Sequence, residues 1–245
     1  MNIQNVQVAS QAPIATVAAA QKDKADVEAA QRAAAEEAAR KERTAKVVLA
    51  RLIKDMIAIP GKNFKIGKYE VTQAQWQAVM GDNPSYFKGD VNPVERVSWD
   101  DCKKFLKKLN AMPEVKASGL TFRLPTEAEW EYACRAGGTG DYCRLADGSE
   151  ITADTLSKVA WYYGRGGDTT HPVGQKESNA FGLYDMHGNV WERCEDLYKA
   201  GDFYRVCRGG GWSSSSEGCA AGNRGDCPPG DRSDNSGFRL AADNK

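Results

Sequence analysis

The pattern of apolar and polar positions divides the chain into three textures. Residues 14–54 are built mainly from Ala, Glu, Lys and Arg, which favour helix. Most apolar positions there are Ala, so the apolar stripe is shallow. This predicts a solvated helical stalk or arm over residues 1–54, with a helix integral to the core as the other reading; residues 1–13 are polar and irregular. From Asp55 the texture changes. "MIAIP" and "FKIGKYEV" predict short strands around a Pro-Gly turn. Thr72 with Gln75, Ser98 with Asp101 and Thr126 with Glu129 each have the capping-box spacing that opens a helix. In the second helix Trp99, Cys102, Phe105 and Leu109 fall on one face. Gly137–Gly138 stops the third helix. Beyond it, short strands alternate with Gly-, Asp- and Ser-rich loops. The fold class is therefore α+β, with an N-terminal helical extension and one loop-rich domain over residues 55–245.

One stretch suspends the pattern. "RVCRGGGW" (205–212) and "GFRLA" (237–241) read as rigid flanks, but Ser213–Ser236 contains no aromatic residue and no Val, Leu, Ile or Met. Long loops of this kind in a compact domain are functional or held by a frame.

Composition narrows the function classes. The 245 residues have zero formal net charge, which gives no electrostatic reason to expect nucleic acid as a partner. No apolar run reaches the roughly 18 residues of a membrane-spanning helix, and no signal peptide is visible. The seven cysteines are an odd number, so they cannot all pair within one chain, and there is no Cys-x-x-Cys. With His171 and His187 as the only histidines, a structural zinc site is not expected. His187 reads as a satisfied loop residue. Glu127, Glu129 and Glu131 read as charges favoured at a helix N-terminus and not as an acid/base pair.

Four stretches in order, "GKYEVTQAQWQAVMGDNPS" (67–85), "RLPTEAEWEYACRAG" (123–137), "NAFGLYDMHGNVWERCEDLY" (179–198) and "RVCRGGGW…GFRLA" (205–241), resemble the formylglycine-generating enzyme family, or sulfatase-modifying-factor domain. The resemblance covers roughly residues 55–243 and implies an elaborated C-type lectin fold. It also implies a structural Ca2+ held by the side chains of Asp185 and Glu192 and the main-chain oxygens of Gly188 and Val190, a donor set suited to a hard cation. The reading without metal has both carboxylates bonded to backbone amides and Arg. The family's other calcium site has no clear counterpart near "VAWYYGRGGDTT". The family's enzymes hold copper between two cysteines. The matching positions here are Ser214 and Cys219, and the motif's serine is Gly211. A hydroxyl is a poor Cu(I) ligand, so no copper is expected and no residue is assigned a catalytic role.

Within this lectin-like family, the layout is most like the variable proteins of diversity-generating retroelements. Adenine-directed changes in AAY codons yield Ser, Asp, Gly, Cys, Pro and Ala among others, and "SSSS", "GDC" and "SDNS" fit that set. The expected ligand-binding patch comprises Cys207, Ser213, Ser214, Ser215, Gly218, Gly222, Gly225, Asp226, Cys227, Gly230, Ser233, Asp234 and Ser236. Arg208, Arg224, Arg232 and Arg239 are expected to fix the backbone while neighbouring side chains vary. The function expected is a non-catalytic receptor whose ligand is a protein. The same resemblance implies display at the cell surface, with membrane tethering through the N-terminus. The rivals are a divergent copper-dependent oxidase of a substrate cysteine and an accessory domain with neither variation nor catalysis.

Overall fold

The structure is a computed structural model that describes residues 12–166 and 168–244. Residues 1–11, expected to be irregular, lie outside the described residues. In chain order the elements are α1 (Ala12–Lys54), β1 (Met56–Ala58), β2 (Lys65–Glu70), α2 (Gln73–Met80), α3 (Trp99–Ala111), α4 (Pro113–Ser118), β3 (Leu120–Arg123), α5 (Glu127–Arg135), β4 (Ala160–Trp161), β5 (His187–Gly188), β6 (Trp191–Leu197), β7 (Arg205–Arg208), β8 (Gly225–Cys227), β9 (Ser236–Gly237) and β10 (Arg239–Asn244).

The chain divides into two units, 1–44 and 45–245. The described part of the first is a single helix. Its described side chains are almost all exposed, and Glu37 pairs with Arg40 at 2.8 Å and with Lys41 at 3.5 Å, short-range support for a polar helix. The second unit begins at Ala45, earlier than the expected boundary after residue 54. The reason is local sequence: "KVVLARLI" replaces Ala with larger aliphatic residues, and Leu49 and Leu52 are buried in the core of the second unit.

All three expected capping boxes are present, with Thr72, Ser98 and Thr126 each accepting from the N–H three residues on. In α3, Cys102, Phe105 and Leu109 are fully buried, while Trp99 is half-buried and its Nε1 donates to the Cys194 carbonyl at 3.1 Å. The ring of Phe105 stacks on Trp76 (centroids 5.3 Å apart) and meets Phe238 edge-on (5.4 Å). Thus α2, α3 and the residue just after β9 share one aromatic core.

One antiparallel sheet has the order β1-β2-β10-β3. The last strand therefore lies between early strands and closes the domain. A second sheet has the order β8-β7-β6-β9, in which Glu192 of β6 faces Arg208 of antiparallel β7 and Gly237 of parallel β9. β4 and β5 form a short parallel pair.

Between these sheets lies a buried ionic site. Arg239 is fully buried, and Glu70, Asp185 and Glu192 around it are at most 2% exposed. The guanidinium pairs with Glu192 at 2.8 Å and donates to the carbonyls of Gly67 at 2.8 Å and Tyr184 at 2.7 Å. Trp130 Nε1 donates to the same carboxylate at 2.6 Å. Glu70 accepts from Asn189 Nδ2 at 2.7 Å and from the Val190 N–H at 3.1 Å. Burial pushes the Glu70 carboxyl well above the usual range, and the charges of Asp185 and Glu192 push it further; Arg239 offsets part of this. Burial likewise pushes Asp185 up to about 6.

Removing one partner of such a site strands the others in a low-dielectric interior. Arg239→Met is expected to destabilise the domain by about 3–5 kcal/mol, read as a lower urea midpoint with an unchanged slope. Arg239→Lys, which keeps the charge but loses the planar fork, should fall between Met and wild type. A wild-type midpoint in Arg239→Met would show that the site does not hold the domain together.

Candidate functional site

The tract from Ser213 to Ser236 leaves β7 and returns through β9 to β10. Its ends are fixed by close approach. Gly210 has φ +74°, and a Cβ there would lie 2.6 Å from Cys219 Sγ, so only glycine fits. At the far end Phe238 and Leu240 are buried. Trp212 is half-buried, with its ring edge-on to Phe87 at 5.6 Å.

Between the ends, arginines hold the backbone. Arg208 is buried in β7; its Nη1 donates to the carbonyls of Ala221 at 2.7 Å and Asn223 at 3.2 Å, and its Nη2 pairs with Glu131 at 2.9 Å and with Glu127. Arg193, also buried, donates to the carbonyls of Val97 at 2.9 Å and Asp231 at 2.7 Å. Arg224 pairs with Glu127, and Arg232 pairs with Asp101 at 2.7 Å. Arg208 therefore does what was expected of all four tract arginines. Arg224 and Arg232 instead bridge to carboxylates of α5 and α3, while Arg239 belongs to the ionic site. Glu127 and Glu131 also do more than sit at a helix N-terminus, because they receive the arginines of a distant segment.

The tract side chains divide clearly. Ser213, Ser215, Gly222, Asp226 and Gly230 are exposed. Ser214, Gly218, Gly225, Cys227, Ser233 and Asp234 are half-buried. Two expected patch members are not at the surface. Ser236 is 5% exposed because β9 places it beside Trp191 of β6. Cys207 is 0% exposed because β7 lies between β6 and β8, and it forms a disulfide with Cys227 of β8. That bond closes a loop with a sequence separation of 20, and such a loop contributes about 3 kcal/mol by restricting the unfolded chain. The other five cysteines are buried and free.

The calcium donor set does not fit as built. Both Glu192 oxygens are taken by Arg239 and Trp130, which places a guanidinium where a second cation would have to sit. Asp185 accepts from the Gly174 N–H at 2.7 Å through Oδ2, and its buried Oδ1 has no hydrogen-bond partner. Among the described residues no group of three or more His, Cys, Asp or Glu is arranged to hold a metal. His187 is buried, with Nδ1 2.7 Å from the Cys219 carbonyl and Nε2 3.1 Å from the Cys143 N–H. Those partners fix the neutral ring with the proton on Nδ1, and burial pushes its pKa down to about 4.

The copper positions do not fit either. Cys219 is fully buried, and burial pushes its thiol up to about 12. Ser214 Oγ, at the partner position, accepts from the Gly211 N–H at 3.0 Å.

With the geometry in place, residues 38–244 match the model of the sulfatase-modifying factor enzyme 1-like domain. The chain belongs to that family. Among curated relatives of this domain, the chaperone protein LppX of Paenibacillus barcinonensis is 36% identical over 62% of this chain and 70% of its own length. The formylglycine-generating enzyme of Thermomonospora curvata is 34% identical over 53% of this chain, which spans only 42% of that relative. Among solved structures, Treponema denticola variable protein 1 superimposes with a TM-score of 0.65 and 31% identity, covering 77% of this chain and 91% of that one. The family's C-type lectin-like fold is thus the fold of this domain.

A buried carboxyl lies behind the tract. Glu95 is 0% exposed; Oε1 accepts from the Phe87 N–H at 2.8 Å, and Oε2 has no hydrogen-bond partner. Burial pushes the carboxyl from its ordinary 4.5 up to about 7, with the nearby Asp234 charge adding to the shift. A raised acid stabilises the fold below its unfolded pKa and loses that contribution as pH rises through the folded one. Glu95→Gln should therefore gain stability relative to wild type as pH rises from about 4.5 to about 7. Urea unfolding at both ends of that window measures the gain. Parallel pH profiles for the two proteins would rule out the buried carboxyl as the cause.

Proposed function

We propose that this chain is a non-catalytic binding protein whose C-terminal tract is a display surface on a lectin-like frame, diversified by a retroelement of the adenine-directed type. One observation carries the reading. The expected patch residues other than Cys207, Ser236 and the disulfide-bonded Cys227 present their side chains at the surface, while Arg193 and Arg208 hold the tract by its carbonyl oxygens. A backbone held in this way does not depend on which side chains it carries, and loops on a rigid scaffold are where binding functions are placed. The ligand is a protein, met by scattered side chains over an extended surface. Zero net charge gives no general attraction to nucleic acid. Display at the cell surface, with the N-terminal helix as the tether, completes the proposal.

The competing reading is a copper-dependent oxidase, favoured by the relative named as a formylglycine-generating enzyme and by a cysteine at position 219. Its test is copper-dependent conversion of the cysteine in a sulfatase-type peptide, and turnover would displace the display reading. Diversification has its own test in the genome. It requires a near-copy of codons 205–240 with adenines at the mismatches, beside a reverse transcriptase gene; a complete genome without one ends that part of the proposal.

The tract serines separate display from structure. Ser213 Oγ accepts from Asn235 Nδ2 at 3.2 Å, and Ser215 Oγ from the Gly218 N–H at 3.3 Å. Both are exposed, so Ser213→Ala and Ser215→Ala are expected to cost less than about 0.5 kcal/mol. Ser214→Ala loses the half-buried bond to Gly211 and is expected to cost about 1 kcal/mol. Losses of several kcal/mol at Ser213 or Ser215 in thermal melts would make those side chains part of the core.

A further inference from the structure

The tract has no aromatic residue, yet aromatic rings border it. Tyr163 is 67% exposed, and its N–H donates to the Ser214 carbonyl at 2.9 Å. Tyr86 is 58% exposed and meets Phe87 edge-on at 4.9 Å; Phe87 in turn meets Trp212. Trp212 Nε1 donates to the Asp234 carbonyl at 3.3 Å. Two scaffold tyrosines, from loops far apart in sequence, therefore stand at the border of the small polar floor formed by the tract. Rigid, amphipathic rings of this kind dominate protein recognition, and the tract alone lacks them.

The charge around this floor has a sign. Both exposed tract arginines are already paired with scaffold acids. Glu217, Asp226, Asp231 and Asp234 make no ion pair among the described residues, while Lys88, Arg96 and Arg165 are exposed cations on the loops that carry the two tyrosines. Arg96 lies over the Tyr86 ring at 4.7 Å, so that ring is already used as a cation acceptor. Exposed rings beside a tract whose carboxylates make no ion pair fit an incoming cationic side chain.

We propose that Tyr86 and Tyr163 form one binding surface with the tract, and that this surface takes a basic polypeptide segment, its Lys or Arg side chains meeting the tyrosine rings and the carboxylate of Asp234. This rests on the display reading and adds to it the fixed contacts and the charge of the partner. Scaffold tyrosines supply affinity common to all tract sequences, and the tract supplies discrimination.

The test pans a random peptide library against the full chain. Selected peptides should be enriched in Lys and Arg, and their affinity should fall about tenfold or more in Tyr163→Ala and in Asp234→Asn, with thermal melts unchanged and with weaker binding at high salt. A lysine homopeptide should bind, and a glutamate homopeptide of the same length should not. Peptides that bind through the tract, lose binding in Ser213→Trp, but carry no basic excess and ignore Tyr163→Ala overturn the present inference while keeping the display reading. A library that yields no tract-dependent binder overturns both.

Discussion

A single guanidinium organises this domain. Among the described residues, Arg239 is the one buried cation in a site with three buried carboxylates, Glu70, Asp185 and Glu192. Its donors reach Gly67 on β2, Tyr184 in a middle loop and Glu192 on the central strand β6. Burying an ion pair costs desolvation that the pairing itself does little more than offset. The value of the site lies in specificity: with all its donors bonded, Arg239 has one position, and β10 can be inserted between β2 and β3 in one register. The excess of carboxylates shows at Glu70, whose carboxyl burial pushes well above the usual range, with the charges of Asp185 and Glu192 adding to the push.

This constraint bears directly on the tract, because Arg239 follows it by three residues and Arg208 precedes it. Both ends of the tract are thus anchored by arginines that lie outside it. Within the tract, the fixing bonds run from Arg193 and Arg208 to main-chain carbonyls, and the Cys207–Cys227 disulfide rivets β8 to β7. A carbonyl accepts the same hydrogen bond whatever side chain its residue carries. Cys207 and Ser236 show the converse: a position inside a strand pairing is withdrawn from the surface by the sheet, whatever its composition suggests.

Local chemistry was legible in the sequence, and long-range chemistry much less so. The three capping boxes, the buried face of α3 and the polarity of the tract each depend on residues within a few positions of one another. By contrast, the disulfide joins strands whose pairing no local pattern announces. Glu127 and Glu131 look like ordinary helix-terminal charges until Arg208 and Arg224 arrive from 77 to 97 positions away. Arg193 sits in a motif read for its carboxylates, and its burial depends on how the tract folds back over β6. Motif likeness reaches the right family because it records such distant constraints indirectly. At Glu192 the residue matches the pattern of a calcium ligand, while both its oxygens bond Arg239 and Trp130.

The same distinction separates chemistry from display in the tract. A thiol that binds Cu(I) or attacks a substrate must be accessible and readily deprotonated. Cys219 is neither: it is fully buried beneath Gly210, and burial pushes its pKa up to about 12. At the partner position, Ser214 offers a hydroxyl that is already bonded to the loop itself. Turning this site into an oxidase would require opening the loop over Cys219, and that loop is closed by its own backbone bonds, Ser214 N–H to the Gly211 carbonyl at 2.9 Å and Cys219 N–H to the Ser215 carbonyl at 3.2 Å. The rigidity that makes the tract a poor reaction centre suits it to recognition, since a loop already fixed in place loses little conformational freedom when a partner settles on it.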